Sequence, residues 1–136
     1  MEAWEKWWHR AVDSLESANL LQKHGHLHSG ISRGYYAAYQ AATAALLYQK
    51  LIPPTLEDKE AWSHQDTPRL LRTTQTSFWD KNTRNDLSKR LSTLYLLRLK
   101  ADYRMRSDIN EPTFIRALKD SSIIVRRIGT VLSLRD

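Results

Sequence analysis

The stretch Arg98–Arg106, R-L-K-A-D-Y-R-M-R, closes the most regular amphipathic segment of the chain. Leu87, Leu91, Leu94, Arg98, Ala101 and Met105 recur at spacings of four, three, four, three and four. That rhythm draws one stripe down an α-helix. Five members of the stripe are apolar or small, and the sixth is an arginine. An arginine on a core-facing stripe needs a partner, because an unpaired buried charge is very costly. Asp102 lies one turn further along the same side and is the nearest candidate, while Tyr95 lies one turn before. Two readings are open at this point. In one, Arg98 and Asp102 form an ion pair that closes the end of a helix bundle. In the other, the guanidinium is held ready for a phosphate.

Working outward, the sequence predicts that this helix starts at Thr83, with Asp86 completing a box-like cap, and runs to about Arg106. Asn110 caps the next helix, with Glu111 and Pro112 in its first turn. Phe114, Leu118, Ser121 or Ser122, Val125, Ile128 and Leu132 face inward, and the helix ends near Leu134. Upstream, a first helix runs from about Trp4 to Lys23. Trp4, Trp8, Ala11, Leu15 and Ala18 form its buried stripe, with Leu20 and Leu21 near the end, and Gly25 stops it. A second helix runs from Ser29 or Gly30 to Lys50, with Ser29 or Ser32 as its cap. Tyrosines at one end and alanines through its middle read as a central, nearly surrounded helix. Pro53-Pro54 breaks the chain. Residues 53–67 read as a polar connection holding Trp62 and His64. A short third helix follows from Pro68 to Phe78, started by Asp66 or Thr67.

These elements make one all-α domain over residues 1–136, a bundle of four long helices and one short one. The four glycines and four prolines read as punctuation. The helix formers Leu, Ala, Arg, Lys, Glu and Gln are common, and β-branched runs are nearly absent before Ile123. With no cysteine there is neither a disulfide framework nor a thiolate metal site. The longest apolar run, Ala41 to Tyr48, is far too short to span a membrane. The start, M-E-A-W-E-K-W-W, lacks the layout of a signal peptide, so a cytoplasmic protein is expected. Trp4, Trp7 and Trp8 are assigned to the core or a subunit interface, because Glu2, Glu5, Asp13 and Glu16 oppose docking on an anionic bilayer. His24, His26 and His28 alternate with no nearby acid or cysteine, a weak metal signature. Neither a metal nor an organic cofactor is expected.

Charge is unevenly spread. Residues 1–80 carry eight Lys/Arg against nine Asp/Glu, net −1, while residues 81–136 carry thirteen against six, net +7. The basic half suggests a polyanionic partner, with RNA or DNA first.

Four blocks now come together: S-R-G-Y-Y-A-A-Y at 32–39, S-H at 63–64, R-L-K-A-D-Y at 98–103, and the final helix from Asn110. Together they resemble the small single-domain HEPN proteins (higher eukaryotes and prokaryotes nucleotide-binding) over nearly the whole chain. The resemblance implies an up-and-down helical bundle that commonly dimerises. It also implies metal-independent endoribonuclease activity in toxin–antitoxin, abortive-infection and CRISPR systems, or partnership with a minimal nucleotidyltransferase. The family's catalytic pattern is an arginine followed, after four to six residues, by a histidine. The arginine holds the phosphate, and the histidine manages protons as the ribose 2′-hydroxyl attacks. Arg98 matches the arginine, but the histidine positions hold Tyr103, Arg104 and Met105. No other arginine has a histidine at those offsets.

Three readings follow from the resemblance. The protein is an RNA-cleaving HEPN with substituted chemistry, using Arg98, Asp102, Tyr103 and His64. Alternatively, it binds nucleic acid or nucleotide without cutting it, through the basic C-terminal half, with Arg98, Lys100, Arg104 and Arg106 as nucleic-acid contacts. Or it is a partner subunit whose Arg98–Asp102–Tyr95 cluster is structural and whose surface docks a minimal nucleotidyltransferase or another defence protein. In every reading a homodimer is expected.

Overall fold

A computed structural model of the protein describes residues 1–54, 61–103 and 110–133, without the side chain of Tyr103. Met105 of the opening stripe therefore lies outside the described residues. Among the described residues there are five helices and no strand: α1 (Ala3–Lys23), α2 (Leu27–Tyr48), α3 (Asp66–Thr73), α4 (Lys81–Tyr103) and α5 (Glu111–Ser133). The expected all-α bundle of four long helices and one short helix is the observed fold.

The centre belongs to α2, which packs against each of the other four helices. Its composition explains why. Ala37, Ala38, Ala41, Ala42, Ala44 and Ala45 are all buried, and their small side chains let four neighbours approach. α4 forms one wall, with Leu87, Leu91 and Leu94 buried as the stripe requires. α5 faces inward through Phe114, Leu118, Ser121, Val125, Ile128 and Leu132, so Ser121 rather than Ser122 belongs to the stripe. Arg90 on α4 ties the wall together, pairing with Asp86 at 2.9 Å and with Asp120 on α5.

The helix ends correct several expectations. α1 stops at Gly25 as read, but Leu20 is 55% exposed because it falls on the outer face. α2 begins earlier than expected, with His26 at its N-cap, so neither Ser29 nor Ser32 caps it. α4 is capped by Asp80, whose Oδ1 accepts from the Thr83 N–H at 2.7 Å, and Thr83 lies inside the first turn. A carboxylate also offsets the positive helix end, which a threonine hydroxyl cannot do. α3 ends at Thr73 rather than Phe78, because Thr73, Thr74 and Thr76 disfavour helix. Phe78 turns back onto Tyr48, with ring centroids 5.7 Å apart. Asn110 caps α5 as read, accepting from the Thr113 N–H at 2.9 Å.

Gly30, Gly34 and Gly129 are not punctuation, since each lies inside a helix. A Cβ on Gly30 would stand 2.6 Å from Cε2 of buried Phe114. One on Gly129 would stand 2.7 Å from Cη2 of Trp8. Both glycines let a helix backbone approach the rim of an aromatic ring. A helical glycine costs about 1 kcal/mol, and burial of one large ring offsets it at about 1.5–3 kcal/mol. Trp8 thereby joins the core margin beside Trp4 and Trp7, consistent with the core half of the tryptophan expectation.

Candidate functional site

The chemistry-bearing residues gather where the tyrosine end of α2 meets the last turns of α4. Successive tyrosines on α2, Tyr35, Tyr36 and Tyr39, point towards this region. α4 supplies Tyr95, Arg98 and Asp102. The segment leading into α3 supplies His64, which lies within ring contact of all four tyrosines. Its ring stacks on Tyr95, with centroids 5.3 Å apart and planes 11° from parallel.

The placement of His64 follows from its neighbours. Trp62, read from sequence as part of a polar connection, is 7% exposed and belongs to the core. Its carbonyl accepts the Tyr39 hydroxyl at 2.5 Å, which clasps the segment to α2. Two residues on, the Tyr35 hydroxyl meets His64 Nδ1 at 2.5 Å. Ser63 then starts α3, its Oγ accepting from the Asp66 N–H at 3.0 Å.

The direction of the Tyr35–His64 hydrogen bond is set by burial. Tyr35 is 0% exposed, and burial together with neighbouring Tyr39 pushes its pKa far above the usual phenol range. It is therefore a neutral phenol that must place its proton, and His64 Nδ1 is its acceptor. Burial first, then the charge of Arg98, holds the His64 pKa below the ordinary 6.5. The neutral imidazole accordingly carries its own proton on Nε2. Burial likewise raises the pKa of Tyr39.

Arg98 is held on two sides. Its Nε lies 2.9 Å from Asp102 Oδ2, and its Nη2 donates to the Tyr36 hydroxyl at 2.8 Å. The guanidinium carbon also sits 5.2 Å from the centre of the Tyr36 ring. The Arg98 side chain is only 12% exposed, against 28% for Asp102. Ser32 Oγ adds a longer contact to Asp102 Oδ2 at 3.3 Å.

The structure thus gathers Arg98, Asp102 and His64 at one end of the bundle, together with Tyr35 and Tyr39. Lys100 is half-buried on α4 and joins none of these hydrogen bonds or ion pairs. The side chain of Tyr103, and Arg104 and Arg106 entirely, lie outside the described residues. Two members were not picked out from sequence: Tyr36, quoted only within the 32–39 block, and Ser32, read otherwise as a possible cap. Ser32, Tyr36 and Tyr39 are spaced four and three apart, a hydroxyl-bearing stripe that signals a polar contact across a helix crossing. Among the described residues, no group of three or more His, Asp or Glu is placed to hold a metal ion. None of the helices is long and apolar enough to cross a membrane.

The HEPN domain family model matches residues 4–131. The chain belongs to the HEPN domain family. No curated protein matches it. This HEPN domain comes from a family associated with ribonuclease and defence roles. Arg98 and Asp102 share α4, and His64 reaches the cluster from the α2–α3 connection. That His64 also lines a groove of about 330 Å³ between α3 and α4, beside Arg69, Arg72, Ser88, Ser92 and Tyr95.

Proposed function

We propose that this HEPN protein binds RNA as a component of a toxin–antitoxin or antiviral defence system, and does not cleave RNA by the arginine–histidine route. The observation that carries this reading is the double hold on Arg98. Cleavage of the family's kind needs a guanidinium free to take up the scissile phosphate and a lone pair free to accept the 2′-hydroxyl proton. Here Asp102 and Tyr36 engage the guanidinium, and a phosphate would have to displace them. The Nδ1 lone pair of His64 takes the Tyr35 proton, and Nε2 carries a hydrogen. Such an imidazole donates to an anion and is a poor base. Binding is supported by the charge. Residues 81–136 carry net +7, and among the described residues exposed Lys81 and Lys89 on α4 and Arg116, Lys119, Arg126 and Arg127 on α5 present part of it to solvent.

The test is RNA binding across a salt series, with cleavage followed in EDTA for wild type and Arg98→Ala, and circular dichroism confirming both folds. Binding that falls steeply with salt and no cleavage by wild type is the expected result. Cleavage by wild type that Arg98→Ala abolishes would put Arg98 in a working site and overturn the reading. The same held ion pair favours one alternative, a structural Arg98 in a subunit that docks a minimal nucleotidyltransferase. Absence of RNA binding, with co-purification of such a partner, selects it.

A further inference from the structure

α2 ends on a lysine at a position that favours glycine. The Leu51 N–H donates to the Leu46 carbonyl at 3.2 Å and the Lys50 N–H to the Leu47 carbonyl at 2.9 Å. This pair of bonds closes a helix on a left-handed residue, and that residue is Lys50, at φ 67°. Glycine takes the conformation freely, whereas a β-carbon crowds the following carbonyl. Among the described residues, Lys50 alone combines a side chain with a positive φ. A cation near a helix C-terminus offsets the dipole, but position 49 would serve that purpose without strain. Lys50 also lines a cavity of about 390 Å³, where the start of α1, the end of α2 and the connection from α3 to α4 meet. Strain of this kind is kept where a side chain is used.

We infer that this cavity binds a small zwitterion, an alkylated ammonium joined to a carboxylate or phosphate. The ammonium lies against Trp4, Tyr48 and Phe78 beside Glu2, and the anionic end meets Lys50. The inference does not depend on RNA binding.

The walls point to the ammonium. Trp4 and Tyr48 meet at 80° with ring centroids 5.2 Å apart, and Phe78 is tilted 40° from Tyr48 at 5.7 Å. Three half-buried rings from three elements therefore converge on one cavity. Ring faces carry partial negative charge and attract a cation within about 6 Å of the centroid. An ammonium wrapped in alkyl groups also covers the apolar surface of the rings and of Leu47, whereas a bare ammonium holds its water. Glu2 supplies full negative charge beside the indole. Its Oε2 accepts from Trp4 Nε1 at 2.5 Å, and its backbone N–H donates to Glu5 Oε1 at 3.1 Å.

The second charge decides between a simple cation and a zwitterion. Glu2 and Lys50 are the charged residues of the lining, one of each sign, and both are exposed. A simple cation is drawn by Glu2 and repelled by Lys50. A simple anion is drawn by Lys50 and opposed by Glu2 and the ring faces. A ligand with one charge of each sign meets both residues favourably.

The experiment is calorimetric titration of the full chain with glycine betaine, phosphocholine, tetramethylammonium chloride and sodium acetate. Wild type is compared with Lys50→Gly, with Trp4→Leu, and with Asp13→Asn at an exposed position of α1 as a control. Betaine should bind at least tenfold more tightly than tetramethylammonium or acetate. Lys50→Gly should lose at least tenfold for betaine, and with it the preference over tetramethylammonium. It should unfold at a temperature no lower than wild type, because glycine relieves the left-handed position. Trp4→Leu, checked for folding by circular dichroism, should weaken betaine and tetramethylammonium alike, and Asp13→Asn should change nothing. Should Trp4→Leu fail to fold, Lys50→Gly still decides. Pelleting with phosphatidylcholine vesicles by wild type but not by Lys50→Gly would assign the zwitterion to a lipid headgroup. Betaine or phosphocholine binding without pelleting would assign it to a free solute. Absence of saturable binding by both betaine and phosphocholine overturns the inference. So does equal affinity of wild type and Lys50→Gly for betaine, or a Lys50→Gly chain that melts below wild type.

Discussion

The Tyr35 hydroxyl stands 2.5 Å from Nδ1 of His64 and fixes which nitrogen of that ring carries the proton. At neutral pH the imidazole should be neutral and protonated on Nε2. Nitrogen chemical shifts of the ring read this directly, and a ring protonated at Nδ1 would show the assignment to be wrong. Tyr35→Phe removes the donor that favours the neutral form. The His64 pKa should then rise relative to wild type, and stability should fall by about 1 kcal/mol for the lost hydrogen bond. A His64 titration unmoved by Tyr35→Phe contradicts this.

Arg98→Ala should destabilise the fold by about 3 kcal/mol, the low end for a buried ion pair that loses one member. The low end applies because Asp102 keeps contact with water, whereas Tyr36 loses its donor from Arg98. Asp102→Asn keeps a polar group opposite Nε and should cost about 1 kcal/mol. Denaturant unfolding of the two variants checks the order. A cost for Arg98→Ala below that of Asp102→Asn would mean that the guanidinium holds nothing together.

Stability should have a pH dependence on both sides of neutrality. The folded pKa of His64 lies below the unfolded value of about 6.5. The unfolded chain therefore binds a proton that the folded chain refuses, and the contribution of His64 is present above pH 6.5 and lost as pH falls below it. The sign is opposite for buried Tyr35 and Tyr39, whose folded pKa values are raised. Their contribution holds up to about pH 10 and is lost above it. Thermal melts between pH 5 and 8 should show a shallower acid limb for His64→Asn, whose amide oxygen can still accept from Tyr35.

Gly30→Ala and Gly129→Ala separate two kinds of close approach. Phe114 is buried and cannot swing away, so a methyl on Gly30 should cost roughly 1–3 kcal/mol despite the better helix propensity of alanine. Trp8 is only half-buried and has somewhere to go, so Gly129→Ala should cost less. Equal melting temperatures for the two variants would contradict this reading of the packing.

Legibility in the sequence followed the range of the interactions. The α4 stripe and the Arg98–Asp102 pair were readable, because both are contained within one helix and obey its period. The partnership of Arg98 with Tyr36 was not. It spans 62 residues and depends on how two helices cross, which no local spacing encodes. Trp62 was misread for a related reason. Its neighbours are polar and non-helical, so no period marks it, and its burial comes from the clasp by Tyr39 on another element. The cap of α4 went astray because Asp80 and Thr83 are both good caps, and only the charge on Asp80 ranks them. The family's histidine offset pointed at residues 103–105, while folding delivered a histidine from position 64.

The long reach between Tyr36 and Arg98 also sets a timetable. A ribosome moving at roughly 5–20 residues per second needs about 3–13 s to pass from one to the end of the cluster at Asp102. α1 and α2 are neighbours in sequence and in space, so they can pair early in that interval. Throughout it, the tyrosine face of α2 waits for its other half. The Tyr35–His64 and Tyr39–Trp62 contacts need no part of α4, so the arrival of α4 completes the cluster rather than beginning it. A chain interrupted before Arg98 carries the tyrosines and the histidine without the guanidinium that ties Tyr36 to α4.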